Sequence, residues 1–142
     1  MGQLILGFDG TTPTRIQTDS AGRLYAVPGF ESVVSGYATN TSAAAGYNGL
    51  VGTVVPAGKV WVITCCNAWN DTSASTRIII GLDNGAVHLW TKSVEAPNAD
   101  QQVTLEAPLI LAAGSKVVAD FYGCTLNDDI GLAWHGYQIE AP

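Results

Sequence analysis

The stretch Val54-Val-Pro-Ala-Gly-Lys-Val-Trp-Val-Ile-Thr-Cys-Cys66 restricts this chain more than any other, because it is punctuated as a turn and then patterned as a strand. Pro56 fixes φ and carries no N–H, and Gly58 tolerates a positive φ. From Lys59 the residues alternate, with Val60, Val62 and Thr64 expected on one side and Trp61, Ile63 and Cys65 on the other. A weaker copy recurs in Leu109-Ile-Leu-Ala-Ala-Gly-Ser-Lys-Val-Val-Ala-Asp-Phe121, where an apolar run enters a Gly-Ser-Lys turn and leaves as a β-branched run. Two strands opened by the same turn chemistry predict a sandwich whose corners are built alike.

The rest of the chain is punctuated in the same manner. Residues 3–27 form a short meander, with strands expected near 4–8, 15–18 and 23–27, and a ribbon this small needs something to lie on. Residues 31–53 are rich in small and polar side chains and are expected to be an irregular linker, with edge strands near 33–37 and 50–55; Ala43-Ala-Ala45 is too short for a helix. From residue 54 strand follows strand: 60–68, 76–82, 86–91, 101–105, 116–122 and 130–140, with 108–111 leading into the second turn. Asp83-Asn-Gly85 predicts a tight hairpin, since Asn-Gly takes the positive φ angles such a turn needs. No stretch carries apolar residues at helical spacing over several turns. The fold expected is all-β: an antiparallel jelly-roll sandwich over 54–142 with an N-terminal extended ribbon arm over 1–30, an immunoglobulin-like sandwich being the alternative.

Charge narrows the function. Of 142 residues only 13% are charged, about half the roughly 25% of an ordinary soluble chain, so much of the surface is expected to be covered by other subunits. The net charge is −6, and the basic residues Arg15, Arg23, Lys59, Arg77, Lys92 and Lys116 are scattered, which argues against nucleic acid as a partner. No apolar run approaches the ~20 residues of a membrane span, and the opening lacks a basic n-region, so synthesis in a cytoplasm without a membrane partner is expected.

Chemistry is thinly supplied. Cys65, Cys66 and Cys124 show no zinc spacing and read as small apolar residues, with one of the adjacent pair in the core. His88 is expected to share a face with Trp90, and Asp83, Asp128 and Asp129 sit in turns whose backbone their carboxylates can bond. Asn40-Thr-Ser42 and Asn70-Asp-Thr72 read as polar loops rather than as glycan acceptors. No catalytic, cofactor or metal site is expected. Trp61 and Trp90 read as core or intersheet residues, whereas Trp69, taken to begin a polar loop, Trp134 and Tyr137 make the one candidate platform on which a sugar ring could stack.

Two parts of the chain resemble proteins from the structural gene blocks of tailed bacteriophages. The opening Phe8-Asp-Gly-Thr-Thr-Pro13 and Arg15-Ile-Gln-Thr-Asp-Ser-Ala-Gly-Arg-Leu24 is similar to a leader found in capsid and tail accessory proteins. Val55-Pro-Ala-Gly-Lys-Val-Trp61, Leu111-Ala-Ala-Gly-Ser-Lys-Val117 and Gly136-Tyr-Gln-Ile-Glu140 resemble phrases of their sandwiches. The resemblance implies a jelly-roll decoration, or cement, protein on the outer surface of the virion capsid. It would be a homotrimer bound to the major capsid protein, with Leu4, Ile5, Phe8, Arg15, Arg23, Leu24 and Tyr25 as candidate contacts of the arm. The alternative is a tail-tip or head-fibre module that binds host-surface carbohydrate through Trp69, Trp134 and Tyr137.

Overall fold

The computed structural model describes residues 5–8, 13–18, 24–26, 32–105 and 107–141. Every regular element among them is a strand: β1 (Ile5–Phe8), β2 (Pro13–Thr18), β3 (Leu24–Ala26), β4 (Ser32–Ala43), β5 (Gly46–Val51), β6 (Lys59–Asn70), β7 (Arg77–Asp83), β8 (His88–Glu95), β9 (Val103–Leu105), β10 (Leu109–Ala112), β11 (Lys116–Cys124) and β12 (Asp128–Glu140). The protein is an antiparallel β-sandwich. One sheet runs β10-β6-β12-β4, with β9 also paired to β6, and the other runs β5-β11-β7-β8. β1, β2 and β3 form a third sheet, paired antiparallel with one another, Leu6 opposite Arg15 and Gln17 opposite Tyr25.

Alternation along the strands builds the core. Ile130, Leu132 and Trp134 of β12 and Trp61 and Ile63 of β6 face Ile78 and Ile80 of β7 and Val117, Ala119 and Phe121 of β11, all of them buried. A fully buried side chain of this size contributes about 1.5–3 kcal/mol, so the two central pairs, β6 with β12 and β7 with β11, carry most of the stability.

The two similar turns are parts of one corner. Gly58 (φ 73°) precedes β6 in one sheet and Gly114 (φ 84°) precedes β11 in the other. Between them, the Val55 amide donates to the Ser115 carbonyl at 2.8 Å and the Gly114 amide donates to the Val55 carbonyl at 2.9 Å. The repeated phrase therefore clasps one sheet to the other. At the expected hairpin, Gly85 has φ 86°, its amide donates to Asp83 Oδ1 at 2.7 Å, and Asn84 Oδ1 accepts from the amides of Ala86 and Val87 at 3.0 Å.

Three expectations need correction. The segment 31–53, read as an irregular linker with edge strands near 33–37 and 50–55, has edge strands but little linker: β4 runs for 12 residues and β5 follows, and they form outer edges of the two sheets. Its small polar residues lack the β-branched signature, but a register of ten residue pairs with β12 holds them in place. The strict alternation along β6 fails at Thr64, because the register passes from His135 opposite Cys65 to Gly136 opposite Ile63 and leaves Thr64 unpaired. This β-bulge turns Cys66 inward at 0% exposure and leaves Cys65 half-buried on the outside. It also explains Gly136, where a Cβ would lie 2.0 Å from the Val62 carbonyl oxygen. Thirdly, Trp69 belongs to β6 rather than to a loop.

Candidate interaction surface

The outer face of the β10-β6-β12-β4 sheet carries the side chains that alternate with the core residues. Register aligns Val33 of β4, Tyr137 of β12, Val62 of β6 and Ile110 of β10 in one row that crosses all four strands. Ile139, Val60 and Ala112 form a second apolar row beside it. In the other direction lie the row Ser35, His135 and Cys65, then Tyr37, Ala133, Asn67 and Thr104, then Thr39, Gly131 and Trp69. Val33, Tyr37 and Ile110 are 70%, 76% and 69% exposed, which is far from the usual state of such residues. Among its described residues the face holds no Lys, Arg or Glu; Asp129 and Asp71 at one end and His135 are its titratable groups apart from the tyrosines and Cys65.

Trp69 lies flat against this face. A Cβ at Gly131 would stand 2.2 Å from its Cζ2 atom, so glycine is what lets the indole rest on β12, and Nε1 donates to Asp71 Oδ2 at 3.1 Å. Trp134 is on the opposite face of the same strand, 5% exposed and pressed against Gly36 and Gly52 in the core. The three residues expected to make a sugar platform are therefore not brought together. Trp69 and Tyr137 share the outer face but sit opposite Gly131 and Val62 respectively, several residues apart along the strands.

The outer face of the other sheet has a different character, because its polar groups are paired with one another. The Tyr47 hydroxyl donates to Asp120 Oδ1 at 2.9 Å, and the rings of Tyr47 and Tyr122 are 5.3 Å apart. Arg77 lies 4.3 Å over the Tyr122 ring with Glu95 within 4.0 Å. Burial, the hydrogen bond to Asp120 and the charge of that carboxylate push the Tyr47 phenol up to about 12. Asp83 is held below the usual carboxylate range by the Gly85 amide and by Lys116 and His88, with burial opposing. His88 does share a face with Trp90, edge to ring at 5.2 Å, but Trp90 is 41% exposed over Gly81 rather than in the core. The bulge between Ile80 and Gly81 turns it outward.

A buried polar node that the sequence hid lies where the chain crosses between the sheets. Asp128, 0% exposed, accepts through Oδ2 from Ser73 Oγ at 2.7 Å, from the Thr125 amide at 2.7 Å and from Asn70 Nδ2 at 2.8 Å. Burial works to raise its pKa, but these hydrogen bonds outweigh it and hold the carboxyl below its ordinary value. Asn70 also donates to Ser75 Oγ and accepts from the amides of Thr72 and Ser73, so it is a structural core residue rather than a loop residue open to glycosylation. The signal in the sequence was Asn70-Asp-Thr-Ser73 opposite Thr125-Leu-Asn-Asp128, but nothing in linear order pairs the two loops. Among the described residues no three His, Cys, Asp or Glu side chains converge to hold a metal ion. No described helix is long and apolar enough to cross a membrane.

Of the candidate arm contacts, Leu4 and Arg23 lie outside the described residues; Ile5, Phe8, Arg15, Leu24 and Tyr25 fall in β1, β2 and β3. No protein-family model matches the chain. No curated protein matches it either. Among solved structures it is similar to the N-terminal cellulose-binding domain of β-1,4-glucanase C from Cellulomonas fimi, 13% identical, covering 96% of this chain and 86% of that chain at a TM-score of 0.29. A superposition this loose carries no argument about ligand or function.

Proposed function

We propose that the chain is a structural virion protein, a jelly-roll decoration protein that binds the outer surface of a phage capsid as a trimer and reinforces it. The observation that carries this reading is the division of the chain into a ribbon, whose β1, β2 and β3 pair with one another, and a separate two-sheet sandwich. That is the arm-and-body organisation implied by the resemblance of the leader and the sandwich phrases. The strand order supports the jelly roll. Counting β4 to β8 as first to fifth, β9 with β10 as sixth, β11 as seventh and β12 as eighth, one sheet reads first, eighth, third, sixth and the other second, seventh, fourth, fifth. That is the order obtained when a long antiparallel hairpin of eight strands is rolled up.

In this reading the ribbon reaches neighbouring capsid subunits while the sandwich body forms the trimer. Several weak contacts made by linked copies add by effective concentration, and binding only the assembled shell stabilises that shell against the pressure of packaged DNA. A net charge of −6 suits a position outside the shell, away from the DNA. The test is to delete residues 2–27 and add the variant to capsids assembled without the protein. Decoration seen by cryo-EM is expected to fall below detection, and capsid melting is expected to return to that of undecorated shells. Full occupancy with unchanged reinforcement would refute the role of the arm.

A further inference from the structure

The chain contains two Asn-Gly pairs, Asn48-Gly49 and Asn84-Gly85, and the fold treats them in opposite ways. An asparagine before glycine is well able to cyclise, because no Cβ on the glycine hinders its amide nitrogen from reaching the side-chain carbonyl carbon. Asn48 is tied down at both ends of its amide: Nδ2 donates to the Ala44 carbonyl at 2.7 Å and Oδ1 accepts from the Ala44 amide at 3.0 Å. Gly49 beside it lies in β5, opposite Asp120 in the ladder with β11. Asn84 stands at the tip of the β7–β8 hairpin, where residues 84–90 are all exposed and its own amide closes the turn on the Val87 carbonyl at 3.3 Å. Its Oδ1 accepts from the amides of Ala86 and Val87, both at 3.0 Å, while Nδ2 has no partner among the described residues. We propose that Asn84-Gly85 is a site of spontaneous covalent modification in the folded protein, at which the asparagine closes to a succinimide and reopens as aspartate or isoaspartate.

The turn supplies what ring closure needs. Bonds from Oδ1 to the amides two and three residues on fold the Asn84 side chain back over the Gly85 peptide. Attack of the Gly85 nitrogen on Cγ places negative charge on Oδ1, at which those two N–H groups already point. The Gly85 N–H donates to Asp83 Oδ1 at 2.7 Å, and Lys116 Nζ, 3.3 Å from Asp83 Oδ2, helps to keep that carboxylate ionised and able to accept the proton. Nothing lies within 4 Å of where a Cβ on Gly85 would stand, so the ring and an incoming water have room. As the N–Cγ bond forms, the proton passes to Asp83; the Cγ–Nδ2 bond then breaks and the amino group leaves as ammonia, carrying that proton away. Water reopens the imide. Addition at Cγ restores the backbone with an aspartate side chain, and addition at the backbone carbonyl carbon of residue 84 leaves the chain running through Cγ as isoaspartate. Either product adds one negative charge, beside Asp83, to a chain already at −6, and isoaspartate also lengthens the backbone of a tight turn.

This chemistry does not depend on what the protein decorates, and it is tested on the purified full chain alone. The chain is stored at neutral pH, native and in denaturant, and sampled over weeks. Peptide mapping by mass spectrometry reads amide-to-acid conversion at positions 48 and 84, and an isoaspartyl methyltransferase labels the isoaspartate. In the native chain Asn84 is expected to convert at least about tenfold faster than Asn48, and in denaturant, where the bonds to Ala44 are lost, the two should convert at similar rates. Asp83→Asn keeps an oxygen for the Gly85 amide but removes the charge, and it is expected to slow conversion at Asn84 by about tenfold without changing the melting temperature. Equal rates at the two positions in the native chain overturn the proposal, as does an Asn84 that stays intact in the native chain while the denatured chain converts. An Asp83→Asn variant that converts as fast as wild type overturns the proton transfer to Asp83.

Discussion

Replacing Trp134 by phenylalanine should be almost free, although the residue is one of the largest in the core. The indole is 5% exposed, and a Cβ on Gly36 or Gly52 would come within 2.5 or 2.9 Å of its ring, so the surrounding backbone is fitted to it. Its Nε1 has no hydrogen-bond partner among the described residues. A buried N–H left unpaired costs about 1–3 kcal/mol, which the phenylalanine variant recovers. Against this, the smaller ring leaves a void of roughly 40 Å³, worth about 1 kcal/mol, together with a transfer loss of similar size. The two sides nearly cancel, so Trp134→Phe should change stability by less than about 1 kcal/mol. Trp134→Ala recovers the same N–H but empties the whole site and should cost about 3–5 kcal/mol. For a chain of 142 residues, 1 kcal/mol corresponds to about 3 °C in melting temperature. Calorimetry should therefore find Trp134→Phe within about 3 °C of wild type and Trp134→Ala about 10–15 °C lower. A loss above about 6 °C for Trp134→Phe would refute the argument, since it would mean that the N–H is bonded, for instance through a buried water.

Two further measurements test the polar node and the thiols. Asp128→Asn should cost about 2 kcal/mol near pH 7 in urea titrations, because one oxygen accepts three hydrogen bonds at 2.7–2.8 Å and a charged acceptor strengthens each. Since the folded pKa of Asp128 is lowered, its charge stabilises the fold above the unfolded carboxylate value near ~4 and loses that contribution as pH falls through the folded value; the gap between wild type and variant should narrow below about pH 4, and a gap that widens there contradicts the reasoning. With a thiol reagent near pH ~8, Cys65 on the outer face should react in the folded chain while Cys66, buried and pushed up to about 12, and Cys124, raised chiefly by burial, react only in denaturant. Equal labelling rates for all three thiols in the native protein would contradict the burial described above.

Local chemistry was legible wherever a backbone constraint was written into one short stretch. Gly58, Gly85 and Gly114 announce their turns because few other residues take those φ angles, and the strand-forming runs after them announce strands. What could not be read required a partner strand. Ala38, Thr39, Asn40, Thr41 and Ser42 look like loop residues until β12 supplies the register of their strand, and Thr64 looks like part of a regular alternation until β12 skips it. The same limit governs the tryptophans. Linear order places Trp90 inside and Trp69 and Trp134 on a surface platform, but Trp69 rests on Gly131, Trp90 is turned out by a bulge, and Trp134 is enclosed. Asp128 was assigned to a turn on good local grounds, yet its importance depends on Asn70 and Ser73, which reach it across the fold.

The place of β12 between β6 and β4 bears on how the protein is made. On a ribosome β4 emerges first and β12 last, and in the sheet β4 pairs only with β12. Until synthesis reaches that strand, β4 has an unpaired edge and β6 lacks its central neighbour, so native pairing of this sheet must wait for nearly the whole sandwich to leave the exit tunnel. Such late, long-range closure slows folding and lengthens the time during which strand edges can capture other nascent chains. Small polar residues along β4 make that waiting edge less sticky, which gives the composition that disguised the strand a use of its own.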